Sequence, residues 1–454
     1  MDFNKTINWT AKIYKLLEKF NREDILPLDN ILDCAFPEVF AKLQTYSRIA
    51  KIAICSTNGK RTTTDILNQI LAANGNTFIT NVSKLSKKYP ILTAIILELS
   101  KYYEGSEYLK DYYSMAIDEF ELAGYFNSIK FDYMLLGNLF HDQKDYCTLK
   151  EKRKKIQDAL TLNSDCTLIV NADDPLLYHI DEEDNRLVTS RKMNKIFYGF
   201  TKIEVQDNEN YIQKNDFLRC PNCGCKLDYK NRYYSHIGQY DCACGFKQPE
   251  LDIAADVKVF KDYSFLNAYY KNRKYVFKVP LGGVYNAYNA LGAIAVALVL
   301  GVERKVITDA FENYRGIRAK DEILDYKTKE VKIKEVKNPT SLSEAVRELS
   351  GTKNTRAVFA LNDEDIDGED TSWIWDSNLS ALKNFENRIY VCSNRNDDMA
   401  LRLKYAGVNP ALISMDVSVK NAVKCCFYEL EENERMLIFA TPSVLSEVYE
   451  ILDK

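Results

Sequence analysis

The chain has 454 residues, of which 46% are hydrophobic and 28% charged, with a formal net charge of -4. At about 150 residues per domain this length predicts two or three domains with ordinary hydrophobic cores. The slightly negative charge gives no positive field to recruit nucleic acid, so that class of partner is not expected.

The opening stretch, MDFNKTINWTAKIYKLLEKF, scatters charge through its length and holds no continuous apolar core. Neither a signal peptide nor a membrane anchor is expected from it. With Ile7, Ala11, Ile13, Leu16 and Leu17 at helical spacing, residues 1–46 are predicted to be helical. A chain without a secretory signal is expected to be soluble and cytoplasmic. Its twelve cysteines are then thiols or metal ligands rather than a disulfide framework.

Arg48–Cys55 (RIAKIAIC) reads as a short strand, STNGKR as a loop, and TTTDILNQILAANG as an amphipathic helix ending at a glycine. A lysine after a tight glycine turn, between a strand and a helix N-terminus, is how α/β folds hold a triphosphate. Asn58, Gly59, Lys60, Arg61 and Thr62 are therefore candidate nucleotide-binding residues. A strict Walker A motif is absent: Ile54 stands at its first glycine, and Arg61 where a hydroxyl would coordinate magnesium. On the motif alone, a phosphate loop and an ordinary βα turn both stand.

Further strands are predicted at Phe131–Leu136 (FDYMLL), Cys166–Val170 (CTLIV) and Lys195–Tyr198. Strands alternating with helices point to a parallel, doubly wound α/β sheet. Residues 217–252, rich in Cys, Gly, Tyr and Pro, break the alternation as an insertion. Within it Cys220-Pro221-Asn222-Cys223 has the spacing of a zinc knuckle, two thiolates reaching one tetrahedral metal from a tight turn. Cys242-Ala243-Cys244 has one intervening residue where a second knuckle has two. The fourth ligand is thus Cys244 or Cys225. The run Ala290–Gly301 falls short of the roughly 18 apolar residues that span a membrane and reads as a buried helix.

The alternation fades near Arg318, and a second series of strands is expected at Arg356 (RAVFALND), Arg388–Cys392 and Met436–Phe439. Three parts follow: a helical segment over 1–46, a central domain over 47–317 carrying the 217–252 insertion, and a smaller α/β domain over 318–454. Asp363, Asp367, Asp370 and Asp376 gather with Trp373 and Trp375 in a loop-like stretch; spacing alone makes them solvated acids. His141, His179 and His236 are the histidines, and none suggests a catalytic triad with a Cys or Ser within this chain.

Several blocks, in order along the chain, resemble the MurT family of Mur ligase-like proteins. STNGKRTTTDIL is similar to the GTNGKTTT loop of Mur ligases, Asn138–Gln143 (NLFHDQ) to the NLFRDQ stretch, and Asn171–Pro175 to NADDP. Gly283–Ala290 (GVYNAYNA) resembles the glycine-tyrosine-asparagine motif of the central domain. Lys337-Asn338-Pro339, Leu361-Asn362-Asp363, Asp367–Asp376 (DGEDTSWIWD) and Met399–Gly407 resemble blocks of the last domain.

The resemblance implies a Mur ligase-like P-loop central domain with an inserted zinc ribbon, followed by a smaller C-terminal α/β domain. It also implies an ATP-dependent carbon–nitrogen ligase. Such a ligase phosphorylates the α-carboxylate of D-glutamate in lipid II and amidates it to D-isoglutamine. The ammonia comes from a partner glutaminase of the GatD type, and the lipid II lies at the inner membrane face. ATP, Mg2+ and a structural Zn2+ are the implied cofactors. By resemblance Lys60 contacts the terminal phosphates, Thr62 is the nearest hydroxyl for magnesium, and Asn289 lies near the adenine. Cys220, Cys223, Cys242 and Cys244 would hold zinc. Asp367 or Asp370 would approach the partner's catalytic dyad, where an acid orients a histidine.

Three positions depart from the family pattern. Arg61 replaces a hydroxyl, Ala116-Ile117-Asp118-Glu119-Phe120 stands where the family reads Glu-Val-Asp-Glu-Ala, and Lys320 stands where Gly-Arg-x-Glu places arginine, with Glu322 retained. Losing a hydroxyl and a carboxylate from one magnesium shell weakens metal binding. The alternatives are a MurT-like binding subunit without turnover, or a Mur-type ligase joining another acid and amine.

Overall fold

The computed structural model describes Lys12 and residues 47–452 except 83–93, 96–97, 99–108, 141–147, 184–185, 190–191, 206–218, 261, 315–320, 327–328, 351–353, 365–366 and 369. The helical segment expected over 1–46, the histidine expected at 141 and Lys320 therefore lie outside the described residues, as does the side chain of Glu322. The chain forms two compact units, Met1–Leu139 with Lys150–Gly316, and Phe140–Leu149 with Ile317–Lys454.

In the first unit β1 (Ser47–Cys55) leads into α1 (Lys60–Ala73), followed by β2 (Phe78–Thr80), β3 (Lys110–Ile117), α2 (Leu122–Ser128), β4 (Tyr133–Leu136), α3 (Leu149–Leu162) and β5 (Thr167–Asn171). A short hairpin, β6 (Glu182–Glu183) and β7 (Arg186–Leu187), precedes β8 (Lys195–Val205). The insertion contributes the antiparallel hairpin β9 (Asp228–Tyr234) and β10 (Ile237–Asp241). After it come β11 (Ile253–Val259), β12 (Ser264–Tyr270) and β13 (Arg273–Val279), then α4 (Val284–Val299) and α5 (Arg304–Glu312).

The main sheet has the order β13-β12-β11-β8-β5-β4-β1-β3-β2. It is parallel from β2 to β11 and antiparallel beyond. Its inner strands are buried on both faces, so Ile52, Ala53, Ile54 and Cys55 form an unbroken apolar run instead of an alternation. The run at 290–301 falls in α4 as far as Val299, and the helix residues from Ala287 to Leu298 are all buried. Among the described residues no helix is long and apolar enough to cross a membrane.

Strand order reverses beside β1, with β3 on one side and β4 on the other. The register pairs Cys55 with Ile117 and with Leu136, and Leu136 with Val170. The residues that follow these four strands therefore leave the sheet side by side. Open α/β sheets bind their ligands outside the carboxyl ends of the strands, at such a reversal.

The second unit begins with β14 (Asp321–Tyr326) and β15 (Lys329–Glu335), and continues through α6 (Pro339–Ser350), β16 (Thr355–Ala360), α7 (Trp373–Asp376), β17 (Ile389–Cys392) and α8 (Asn396–Tyr405). It ends with β18 (Ile413–Met415), α9 (Val419–Tyr428), β19 (Arg435–Ala440) and α10 (Pro442–Leu452). Its sheet, β14-β15-β19-β16-β17-β18, is parallel except for β14. Separate apolar clusters pack on its two faces, one around Val358, Ile438 and Val448, the other around Phe359, Phe439 and Leu403.

Candidate nucleotide and metal sites

The loop between β1 and α1 is held by several independent contacts. Gly59, at φ 87°, takes a left-handed conformation that turns the chain into the helix. A Cβ there would come 2.0 Å from Asn289 Oδ1, so α4 and the loop approach as closely as a glycine permits. Asn138 clamps the loop from the end of β4: its Oδ1 accepts from Asn58 N at 2.9 Å, and its Nδ2 donates to Asn58 O at 2.8 Å. Thr57 N donates to Asn138 O at 3.0 Å. Asn138 was legible only as part of a resembling block; its chemistry becomes visible once β4 lies beside β1.

Lys60 is buried, with Nζ 3.2 Å from Ser56 O and paired to the Asp118 carboxylate. Thr57 Oγ1 donates to the carboxylate of Glu119, which is itself buried. Arg61 and Thr62, in the first helical turn, are half-buried. The first amides of a helix lack partners within it and point toward its N-terminus, where an anion is favoured. Asn289 lies against Gly59, at the turn itself.

Asp173 and Asp174, after β5, organise the inserted hairpin. Asp173 Oδ2 accepts from Phe200 N at 2.7 Å and from Tyr288 OH at 2.6 Å, and Gln248 Nε2 donates to Oδ1. Burial pushes its carboxyl up to about 7 despite these donors. Asp174 accepts from Leu139 N and Leu176 N, both at 2.9 Å, and lies 3.3 Å from His236 Nε2 in the β9–β10 turn. Tyr288 also stacks on Phe200 at 3.8 Å. The hairpin is thus bolted to the sheet by two buried acids that spacing alone gave no reason to single out.

At the tip of the insertion the Sγ atoms of Cys220, Cys223, Cys242 and Cys244 lie within 4.8 Å of one another, and Cys225 is outside this group. Phe246 stacks on Tyr240 at 5.4 Å and, with Leu227, Cys220 and Cys242, forms a small apolar core against which Tyr178 packs.

In the second unit the two candidate acids differ. Asp367 is buried, and its carboxylate accepts from Ser443 N at 2.8 Å and from Ser443 Oγ, capping the N-terminus of α10. Asp370 is exposed; its Oδ1 accepts from Ser372 N at 2.8 Å, and that amide holds its carboxyl below the usual range. Trp373 is buried, whereas Trp375 is half-exposed under Arg402.

Residues 336–445 match the MurT ligase C-terminal family. Over 372 residues the chain is 29% identical to the lipid II isoglutaminyl synthase (glutamine-hydrolyzing) subunit MurT of Staphylococcus aureus strain COL, covering 81% of this chain and 80% of the relative. The chain is a homologue of the MurT subunits. Its fold is that of the Mur ligases. A pseudomurein peptide ligase type C from Methanothermus fervidus superposes with a TM-score of 0.65 at 17% identity, over 95% of this chain and 85% of the other. A MurF ligase from Thermotoga maritima in complex with ADP gives 0.60 at 12% identity, over 92% and 82%.

Ala116 is the penultimate residue of β3, and Asn81 holds its backbone in both directions, Nδ2 to Ala116 O and Ala116 N to Oδ1, each at 2.8 Å. No side-chain oxygen is offered there. Among the described residues, Asp118 reaches the loop at Lys60 and Glu119 at Thr57.

Proposed function

We propose that this chain is the ATP-using subunit of a glutamine-hydrolysing lipid II isoglutaminyl synthase. The observation that carries the reading is the loop at 56–60. A buried lysine, a left-handed glycine and a helix N-terminus meet there at the reversal point of a Mur ligase-like sheet. Homology to MurT subunits supports the substrate.

A carboxylate is a poor electrophile, so amidation needs activation. The α-carboxylate oxygen of D-glutamate attacks the γ-phosphorus of ATP and ADP leaves, giving an acyl phosphate. Ammonia then attacks the acyl carbon, a proton is lost and phosphate departs. In this scheme Lys60 and the first-turn amides of α1 hold the phosphates, while Asn58 and Gly59 shape the turn. Magnesium, which accompanies ATP, would draw on the oxygen donors of the loop and would offset the charge of the transferring phosphoryl group. Ammonia comes from a partner glutaminase of the GatD type. Of the two acids, exposed Asp370 suits an approach to that partner's dyad, because Asp367 is engaged by Ser443.

The four clustered thiols fit a structural zinc. Tetrahedral Zn–S bonds of about 2.3 Å place sulfurs about 3.8 Å apart, and Cys220–Cys244 and Cys223–Cys242 are separated by 3.7 and 3.5 Å. Four protein ligands leave no position for substrate. Purified protein should carry about one zinc per chain, and Cys220→Ser should lose it. Metal-free protein of undiminished stability would refute this assignment.

The decisive experiment incubates the protein with lipid II, ATP, magnesium and ammonium chloride and looks for the carboxylate-to-amide mass change. Amidation that disappears in Lys60→Ala is the expected result. Absence of amidation together with absence of ATP binding would leave a MurT-like binding subunit. ATP binding without amidation would indicate a different acid or amine.

A further inference from the structure

We propose that the open face of the sheet at β8 and β11–β13 docks this chain onto an anionic lipid bilayer. The inference rests on the lipid II reading above and deepens it, naming the surface through which the chain meets a substrate anchored in a membrane.

Strand alternation gives these strands two unlike faces. Ala255, Val257, Leu266, Ala268, Phe277 and Val279 are buried on the side packed by α4 and α5. The residues between them point the other way. Register lays Glu204, Lys258, Phe265 and Lys278 in one row across four strands, and Ala254, Tyr269 and Lys274 in another. Tyr269 and Val276, both on this second face, are 37% and 39% exposed.

The region is positive within a net-negative chain. Residues 201–205 and 253–279 carry seven cations against three acids, whereas the whole chain has a formal charge of -4. Two of those acids are engaged locally. Glu204 is shared by Lys202 and Lys258, at 2.6 and 3.0 Å, and Asp256 accepts from the hydroxyls of Thr201 and Tyr269. Lys271, Lys274 and Lys278 instead hold their ammonium groups over the rings of Tyr270, Tyr269 and Tyr263, at 5.0, 5.7 and 5.0 Å. At the β11–β12 turn Phe260 stacks on Tyr263 at 4.5 Å, and both rings meet Phe265 edge-on.

Lysines on an edge strand guard against pairing with another sheet. That accounts for β13, which is the edge, but not for Lys258 and Lys202 on the interior strands β11 and β8. A polyanion such as nucleic acid would use the charge and leave Val276 and Phe265 unused. A bilayer uses both. Ammonium groups meet anionic headgroups, while lysine stems and tyrosine rings settle at the boundary with the acyl chains. Such binding strengthens with anionic lipid and weakens with salt.

The test is co-sedimentation of the full chain with vesicles free of lipid II. Wild type should bind vesicles of phosphatidylglycerol and phosphatidylcholine, release them in high salt, and ignore phosphatidylcholine alone. Lys274→Glu with Lys278→Glu should lower the partition coefficient at least about tenfold. Lys420→Glu with Lys424→Glu, an equal charge change at exposed positions in the second unit, should lower it by no more than about twofold. Ammonia-driven amidation of detergent-solubilised lipid II should be the same in all three proteins, which also shows that the variants are folded.

Absence of vesicle binding, or equal losses in the two double variants, would overturn the docking face. So would a Lys274/Lys278 variant that binds vesicles normally but loses glutamine-driven amidation, since the face would then belong to a protein partner. Amidation in detergent alongside any of these results leaves the lipid II reading intact. Vesicle binding through this face with no amidation would overturn that reading alone.

Discussion

Asp173 and Asp174 follow β5, and Asp118 and Glu119 follow β3, so two pairs of adjacent acids leave one sheet at the same edge. Burial sets only Asp118 apart: Asp173 and Asp174 are 0% and Glu119 3% exposed, whereas the Asp118 side chain is 36% exposed. Their partners separate the two pairs. The first pair is bound by backbone amides, Tyr288, Gln248 and His236, all parts of the scaffold. The second is bound by Lys60 and Thr57, which belong to the loop that would receive a nucleotide. An acid satisfied by the scaffold fixes geometry, whereas an acid satisfied by a ligand-binding group can exchange that partner.

This contrast is easiest to break at Asp173. Asp173→Ala strips the acceptor from Tyr288, Phe200 N and Gln248, and should cost about 3 kcal/mol of stability. Asp118→Asn, at a partly exposed pair, should stay within about 1 kcal/mol of wild type. Denaturant titrations giving equal losses would erase the distinction. Gly59→Ala tests the loop: a left-handed φ and a Cβ 2.0 Å from Asn289 Oδ1 predict a cost of about 2 kcal/mol, with weakened ATP binding by calorimetry. Unchanged stability would mean that α4 does not press on the turn.

The same contrast recurs in the second unit. Asp367→Ala removes a helix cap and should cost about 1–2 kcal/mol. Asp370→Ala should change stability by no more than about 0.5 kcal/mol, yet abolish glutamine-driven amidation while sparing the ammonia-driven reaction. Loss of both reactions would place Asp370 elsewhere in the mechanism.

Asp173 also predicts a pH dependence. Asp173 is held near 7 in the folded state, above the roughly 3.9 of an unfolded aspartate. The folded state thus binds more protons between those values. The resulting stability is present in full below the unfolded value and is lost as pH rises through about 7. Relative to Asp173→Asn, wild type should lose about 1 kcal/mol between about pH 6 and pH 8, and a flat difference would show that Asp173 is ionised throughout.

Much of the fold was readable from patterning. The β1–loop–α1 unit, the strands at 133–136, 355–360 and 435–440 and the buried helix α4 follow from runs of apolar residues and turn signals. Less readable were β3, whose KDYYSMAI mixes Lys, Asp and Ser into a mostly buried strand, and the antiparallel β11–β13 edge, whose lysines and tyrosines blur the alternation. The two-sided burial of an inner strand and the half-exposure of an edge come from neighbours that sequence does not name.

By itself the sequence determined what depends on a few consecutive residues: the glycine turn before Lys60, the Cys220-Cys223 knuckle, and the departures at Arg61 and Ala116. Tertiary structure decided which distant groups meet. It gathered Cys244, and not Cys225, with the other three thiols, and set Asp118 on Lys60 and Glu119 on Thr57. It also separated capped Asp367 from exposed Asp370. The reason is that a turn fixes its neighbours through local torsions, whereas strand order and register decide which loops emerge together at a sheet's carboxyl edge.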